Sequence, residues 1–240
     1  MTFIHTIPPE QADEAVDEMY RRQQAHFGYL PNYARAFSHR PEVMAAWAAL
    51  LASIRRHVAP RRFELATLAA ASVLGNSYCA LAHGKALGQW LDDEMVATIA
   101  RGGEPGGLDA AERELLAFAR RVAGDASRVT GDDVARLRES GLTDAEIFDL
   151  VAVVAGRAFF TKVLDGLGVE PDAAYRELPD PLCEALTVGR PIAGRDPEAG
   201  QGSAQSAAQQ QLGGIEMMPA PPDQGESQGG EERGGQRQPA

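Results

Sequence analysis

The sequence predicts an all-α domain, on three observations. Apolar residues recur at spacings of three and four through most of residues 1–189, recognisable helix-opening residues precede those runs, and no four-residue stretch alternates as a half-buried strand would. Short connections between the helices fit a bundle. In chain order, Pro9 to about His26 reads as a first helix, opened by Pro-Glu and closed near Gly28. Pro41 opens a second, in which Val43, Trp47, Leu50 and Ile54 share one face. Pro60 starts a third over 61–74, rich in Ala and stopped by Gly75-Asn76. Helices over 77–90 and 93–101 follow, before a glycine-rich loop at 102–107. Asp109-x-x-Glu112, Thr130-x-x-Asp133 and Thr143-x-x-Glu146 are capping-box patterns, in which two side chains satisfy the free N–H groups of a helix start. The last of them opens a long apolar run containing Ile147, Leu150, Val151, Val154, Ala155 and Phe159, ended by Gly166 and Gly168 with Pro171 beyond.

Composition changes near residue 190. Residues 191–240 hold 10 of the 25 glycines, six prolines and nine glutamines, with no aromatic residue and no Val. Such a stretch cannot bury enough apolar surface to offset its ordering entropy. The expected organisation is therefore a domain at 1–189 and a disordered Gly/Gln/Pro-rich tail at 190–240.

A formal charge of −11, with 21 Arg and two Lys scattered along the helices, argues against nucleic acid as a partner. No apolar run reaches the roughly 18–20 residues of a membrane span. The start lacks a basic and apolar secretory pattern. Two cysteines, Cys79 and Cys183, make no disulfide framework. Together these predict a soluble cytoplasmic protein. No phosphate loop, nucleotide fingerprint or hydrolase elbow is present, and no residue pattern requires an organic cofactor or a metal.

The segment that could carry chemistry is Gly75-Asn76-Ser77-Tyr78-Cys79-Ala80-Leu81-Ala82-His83. If Gly75 ends one helix and Asn76 or Ser77 caps the next, Cys79 lies in a first helical turn, where unpaired N–H groups favour a thiolate. His83 stands one turn further on the same face and could take the thiol proton. Glu64, fifteen residues before Cys79 on the preceding helix, could fold back to orient His83. A structural reading is equally open: a buried apolar Cys, a satisfied His and a surface Glu64 between arginines. Zinc ligation by the three fits no standard spacing.

Glu64, the fifteen-residue gap and Asn-Ser-Tyr-Cys-Ala-Leu-Ala-His resemble the active-site segment of the carboxymuconolactone decarboxylase/AhpD-like superfamily. In its hydroperoxidases a Glu precedes Cys-x-x-Cys-x-x-x-His across two consecutive helices. Leu108–Leu116, Val129-Thr130, Gly141-Leu142-Thr143-Asp144 and Phe160 through Val169 are similar to the peroxidase-related branch, so the resemblance spans roughly residues 15–175. It implies an AhpD-like helical fold and a thiol-dependent peroxidase. Cys79 would meet the hydroperoxide, Glu64 and His83 would relay protons, and the chain would form a homotrimer or larger assembly. Asn76 stands where the family has its first cysteine, so a sulfenic acid on Cys79 needs an external thiol reductant or Cys183. Two other functions stay open: a decarboxylase-like acid/base enzyme using His83 and Glu64, and a non-catalytic helical oligomer.

Overall fold

The computed structural model describes residues 2–194; from residue 195 onward the expected tail lies outside the described residues. Among the described residues there are ten α-helices and no strand. These are α1 (Glu14–Phe27), α2 (Asn32–Ala36), α3 (Pro41–Arg55), α4 (Pro60–Leu74), α5 (Ser77–Leu87), α6 (Asp93–Ala100), α7 (Ala110–Asp125), α8 (Gly131–Glu139), α9 (Asp144–Gly166) and α10 (Asp180–Leu186). The domain is all-α, and no helix among the described residues is long and apolar enough to cross a membrane.

The helix starts follow local chemistry. All three capping boxes form, at Asp109–Glu112, Thr130–Asp133 and Thr143–Glu146. Proline occupies the first turn of α3, α4 and α10, where its missing N–H costs nothing. The first expected helix is interrupted. Pro9–Gln11 is a 3-10 turn, and the Asp13 carboxylate accepts from Val16 N–H, so the α-helix starts only at Glu14.

The centre of the bundle is α4, packed against α5, α7 and α9. Nine successive residues of α4, Phe63 to Ala71, are buried, and the small Ala66, Ala69, Ala70 and Ala71 let neighbouring helices approach closely. Leu65 and Leu68 within this run, and Leu81, Leu116 and Leu164 around it, are fully buried, each contributing roughly 1.5–3 kcal/mol of hydrophobic stabilisation. α3 lies on α9, where Trp47 Nε1–H donates to the Gly156 carbonyl at 2.8 Å. A Cβ on Gly156 would sit 2.9 Å from Leu51 Cδ2, so glycine permits this approach. The approach turns Met44, Trp47, Ala48 and Leu51 inward and leaves Val43 and Leu50 exposed, a rotation away from the face expected from the sequence. Trp47 stacks on Phe160 in the core, whereas Trp90 and Phe159 remain exposed.

The packed chain continues past residue 189. Gly189 N–H donates to Ser77 Oγ at 2.8 Å, and Ala193 N–H to the Pro171 carbonyl at 2.9 Å. Arg176 holds the carbonyls of Ile192 and Ala193. A Cβ on Gly189 would meet the Gly75 carbonyl oxygen at 1.8 Å, so the strap crosses the α4–α5 turn in direct backbone contact.

Candidate active site

α4 and α5 are joined by one tight turn, and that turn positions the site. Gly75 takes a left-handed φ of 68°, which glycine adopts without strain. The Asn76 side chain then accepts from Cys79 N–H at 2.8 Å and starts α5. Asn76, which stands where the similar motif has its first cysteine, is thus the helix cap.

The fold-back brings Glu64 to His83. His83 Nδ1–H donates to Glu64 Oε2 at 2.5 Å, both residues being 1% exposed. Glu64 Oε1 also lies 4.0 Å from Arg55 Nη2. Burial raises the Glu64 carboxyl, but His83, Arg157 and Arg55 outweigh it and hold the carboxyl below its ordinary range. Burial and the Arg157 charge push His83 down, against Glu64. The pair is therefore a carboxylate and a neutral imidazole whose proton sits on Nδ1. That leaves a lone pair on Nε2, which is buried and has no hydrogen-bond partner.

Cys79 and His83 line one small cavity of about 10 Å³ together with Phe27, Tyr33, Tyr78, Ala82, Phe160 and Tyr175. This is room for about one water-sized group. The lowered thiol pKa expected at a helix N-terminus is not what the site produces. Cys79 is 2% exposed; burial pushes its thiol up to about 12, with Arg157 acting against the rise and Asp165 adding to it. Its own N–H is already occupied by Asn76, and aromatic side chains wall the cavity beside it. The local dipole is too small to offset that desolvation.

A carboxylate that sequence reasoning missed fastens the cavity wall. Asp172 Oδ2 accepts from the Tyr78 hydroxyl and from Tyr29 at 3.2 Å, while Oδ1 accepts from Asn32 N–H at 2.7 Å. Tyr175, which follows closely, packs edge-on against Tyr78. Arg157 was also missed. It is 2% exposed and rests against the rings of Trp47 and Phe63 at 5.6 and 5.3 Å. Its signal in the sequence is that it is the one charged residue within 150–161. Cys183 is half-buried on α10, its Sγ 3.9 Å from the Tyr175 carbonyl, and neither cysteine is in a disulfide. Among the described residues no group of three His, Cys, Asp or Glu is arranged to hold a metal ion.

A larger cavity of about 190 Å³ lies along α4 on its Arg62 and Ala66 side, between α7 and α9. None of Glu64, Cys79, His83 or Arg157 lines it.

No family model and no curated protein sequence matches the chain. Solved structures do. An uncharacterised peroxidase-related protein from Silicibacter sp. TM1040 aligns at TM-score 0.64 and 22% identity, covering 73% of this chain and 94% of its own. The AhpD-core, peroxidase-related protein from Ralstonia eutropha JMP134 gives 0.61 and 20%, covering 72% and 94%. The debrominase Bmp8, a cysteine-to-alanine variant in complex with 2,3,4-tribromopyrrole, gives 0.62 and 17%, covering 77% and 98%. The chain has the AhpD-like fold, and proteins with more than one activity share it.

Proposed function

We propose that this protein is an AhpD-like thiol-dependent peroxidase in which Cys79 reduces a hydroperoxide with Glu64 and His83 as its proton relay. The observation that carries the reading is the buried Glu64–His83 pair, whose free imidazole nitrogen is unsatisfied beside a cavity shared with Cys79. A buried acceptor without a partner costs about 1–3 kcal/mol, which a protic substrate or the thiol proton would recover.

At rest Cys79 is a thiol. As the peroxide arrives, His83 Nε2 takes the thiol proton while Glu64 stabilises the imidazolium. The sulfur attacks the distal oxygen, an S–O bond forms and the O–O bond breaks. The proton on His83 passes to the departing oxygen. Cys79–SH and ROOH thus become Cys79–SOH and ROH, with sulfur oxidised by two electrons and the peroxide reduced. An external thiol returns Cys79 to the reduced state, because Asn76 cannot. The cavity size favours hydrogen peroxide or a bare –OOH group over a lactone acid or a brominated ring.

The test is a brief hydrogen peroxide pulse with a sulfenate-trapping reagent, read by mass spectrometry of the Cys79 peptide. Time-dependent labelling, lost in Cys79→Ser and strongly slowed in His83→Ala, is the expected result. Labelling no faster than that of a free thiol, and indifferent to His83, would overturn it. We also place the chain in a homo-oligomer, since Val43 and Leu50 of α3 and Phe148, Val151 and Phe159 of α9 leave apolar surface uncovered.

A further inference from the structure

The larger cavity beside α4 takes part in no step of the reaction above, yet its walls are chemically specific. Its depth is apolar: Ala66 of α4, Leu115 of α7, Leu142 ahead of α9, and Leu150 and Val153 of α9 line it and are all buried. At about 190 Å³ it exceeds the roughly 150 Å³ that accepts a benzene molecule, which leaves space for one ring and roughly one or two further heavy atoms. The polar lining residues His57, Arg62, Glu146 and Asp149 all keep some solvent exposure and so mark the mouth. Arg62 Nη1 donates to Glu146 Oε1 at 3.1 Å, and Glu146 Oε2 accepts from the Thr143 N–H and hydroxyl. Those two charges are therefore satisfied by each other and by the start of α9. Asp149 is different: its carboxylate makes no hydrogen bond or ion pair among the described residues. His57 adds no charge in its neutral form, so two carboxylates face one guanidinium and the mouth carries an uncompensated negative charge above an apolar chamber.

We propose that this cavity binds a small primary amine with an apolar body about the size of one ring, its ammonium group bonded to Asp149 and its body filling the space between α4, α7 and α9. Each part of such a ligand answers a part of the wall. The body removes apolar surface from water, and the ammonium supplies N–H donors to a carboxylate that has none, in a bond strengthened where the body excludes water. An anion would meet the excess negative charge, since Arg62 is already engaged by Glu146. A neutral apolar molecule, or an apolar side chain from a second copy, would fill the depth but leave Asp149 with nothing to hold. The site stands apart from the peroxide reading, because neither Cys79 nor the Glu64–His83 pair lines it.

The test is a calorimetric titration of the full-length protein at about pH 8 with benzylamine, benzyl alcohol and benzoate, which share a ring and differ in charge. Benzylamine is expected to bind about tenfold or more tightly than benzyl alcohol, and benzoate not to bind. Asp149→Asn, at a half-exposed position, is expected to bring benzylamine down to the affinity of benzyl alcohol and to leave benzyl alcohol unchanged. Ala66→Leu, which fills the chamber, is expected to abolish both, and Cys79→Ser to bind as wild type does. Benzyl alcohol bound as tightly as benzylamine, or benzoate preferred to either, overturns the proposal. So does benzylamine binding that is indifferent to Asp149→Asn, which would place the amine elsewhere. Failure of all three probes overturns it too, by showing the chamber closed or already filled in the assembled protein. Should Ala66→Leu fail to fold, the Asp149→Asn comparison decides alone.

Discussion

Burial acts on Cys79 and on His83 with opposite signs, and the two predict different limbs of a pH profile. Burial, aided by Arg157, lowers His83, so its neutral form is retained in the folded protein below pH 6.5. The stability this contributes is present above that pH and is lost as acid forces the ring to protonate. Cys79 is raised, from 9.0 to about 12, so its contribution is complete below pH 9 and is lost as pH climbs toward 12. Melting curves between pH 8 and 11 are therefore expected to fall more steeply for wild type than for Cys79→Ser; parallel slopes would contradict a buried, protonated thiol. For the proton relay, Glu64→Gln leaves His83 without its carboxylate and is expected to reduce the sulfenate-forming rate by about 10²–10⁴, measured against unchanged helical circular dichroism. Glu64, Cys79 and His83 could be read together from the sequence because one turn separates their helices. Arg157 and Asp172 could not be read so. The Asp172 bonds to Tyr78 and Asn32 span 94 and 140 residues, and no local pattern announces contacts of that range.

Helix boundaries were legible at most places where a side chain closes on nearby backbone; Asp13, whose cap starts α1 at Glu14 rather than at Pro9, is the exception. The three capping boxes and the Gly75 turn stand where the sequence places them. Thr143→Ala removes an acceptor for Glu146 N–H and is expected to cost about 0.5–2 kcal/mol in urea denaturation. The inward face of α3 was not legible, because Trp47 belongs to either of two adjacent stripes and only its bond to Gly156 decides between them. The short α2 and α10 escaped notice for a related reason: each is held by what it packs on. α10 packs on α5 and α6. Its contact with α5 is close enough that a Cβ on Gly84 would lie 2.5 Å from Leu186 Cδ2. Gly84→Ala must push Leu186 aside and is expected to destabilise by about 1–3 kcal/mol, with Leu186→Ala in the same chain recovering part of it.

Across the whole molecule, α3 packs on α9, Trp47 meeting Gly156 and Phe160, and Phe37 ahead of α3 also meets Phe160. Val43 and Leu50 of α3 and Phe148, Val151 and Phe159 of α9 are left exposed. Light scattering after size exclusion is expected to give a mass that is a multiple of 25.6 kDa, reduced to a single chain by Leu50→Glu with Phe159→Glu. A wild type already at one chain mass would refute the oligomer. The strap over the α4–α5 turn has a consequence of another kind, for the order in which the protein is made. Ser77 and its partner Gly189 are separated by 112 residues, and at about 5–20 residues per second the ribosome needs roughly 6–22 s to deliver the second after the first. Until then the nascent chain carries the α4–α5 turn without the segment that crosses it. Newly synthesised molecules thus pass through a stage in which that turn lacks the cover it has in the finished protein.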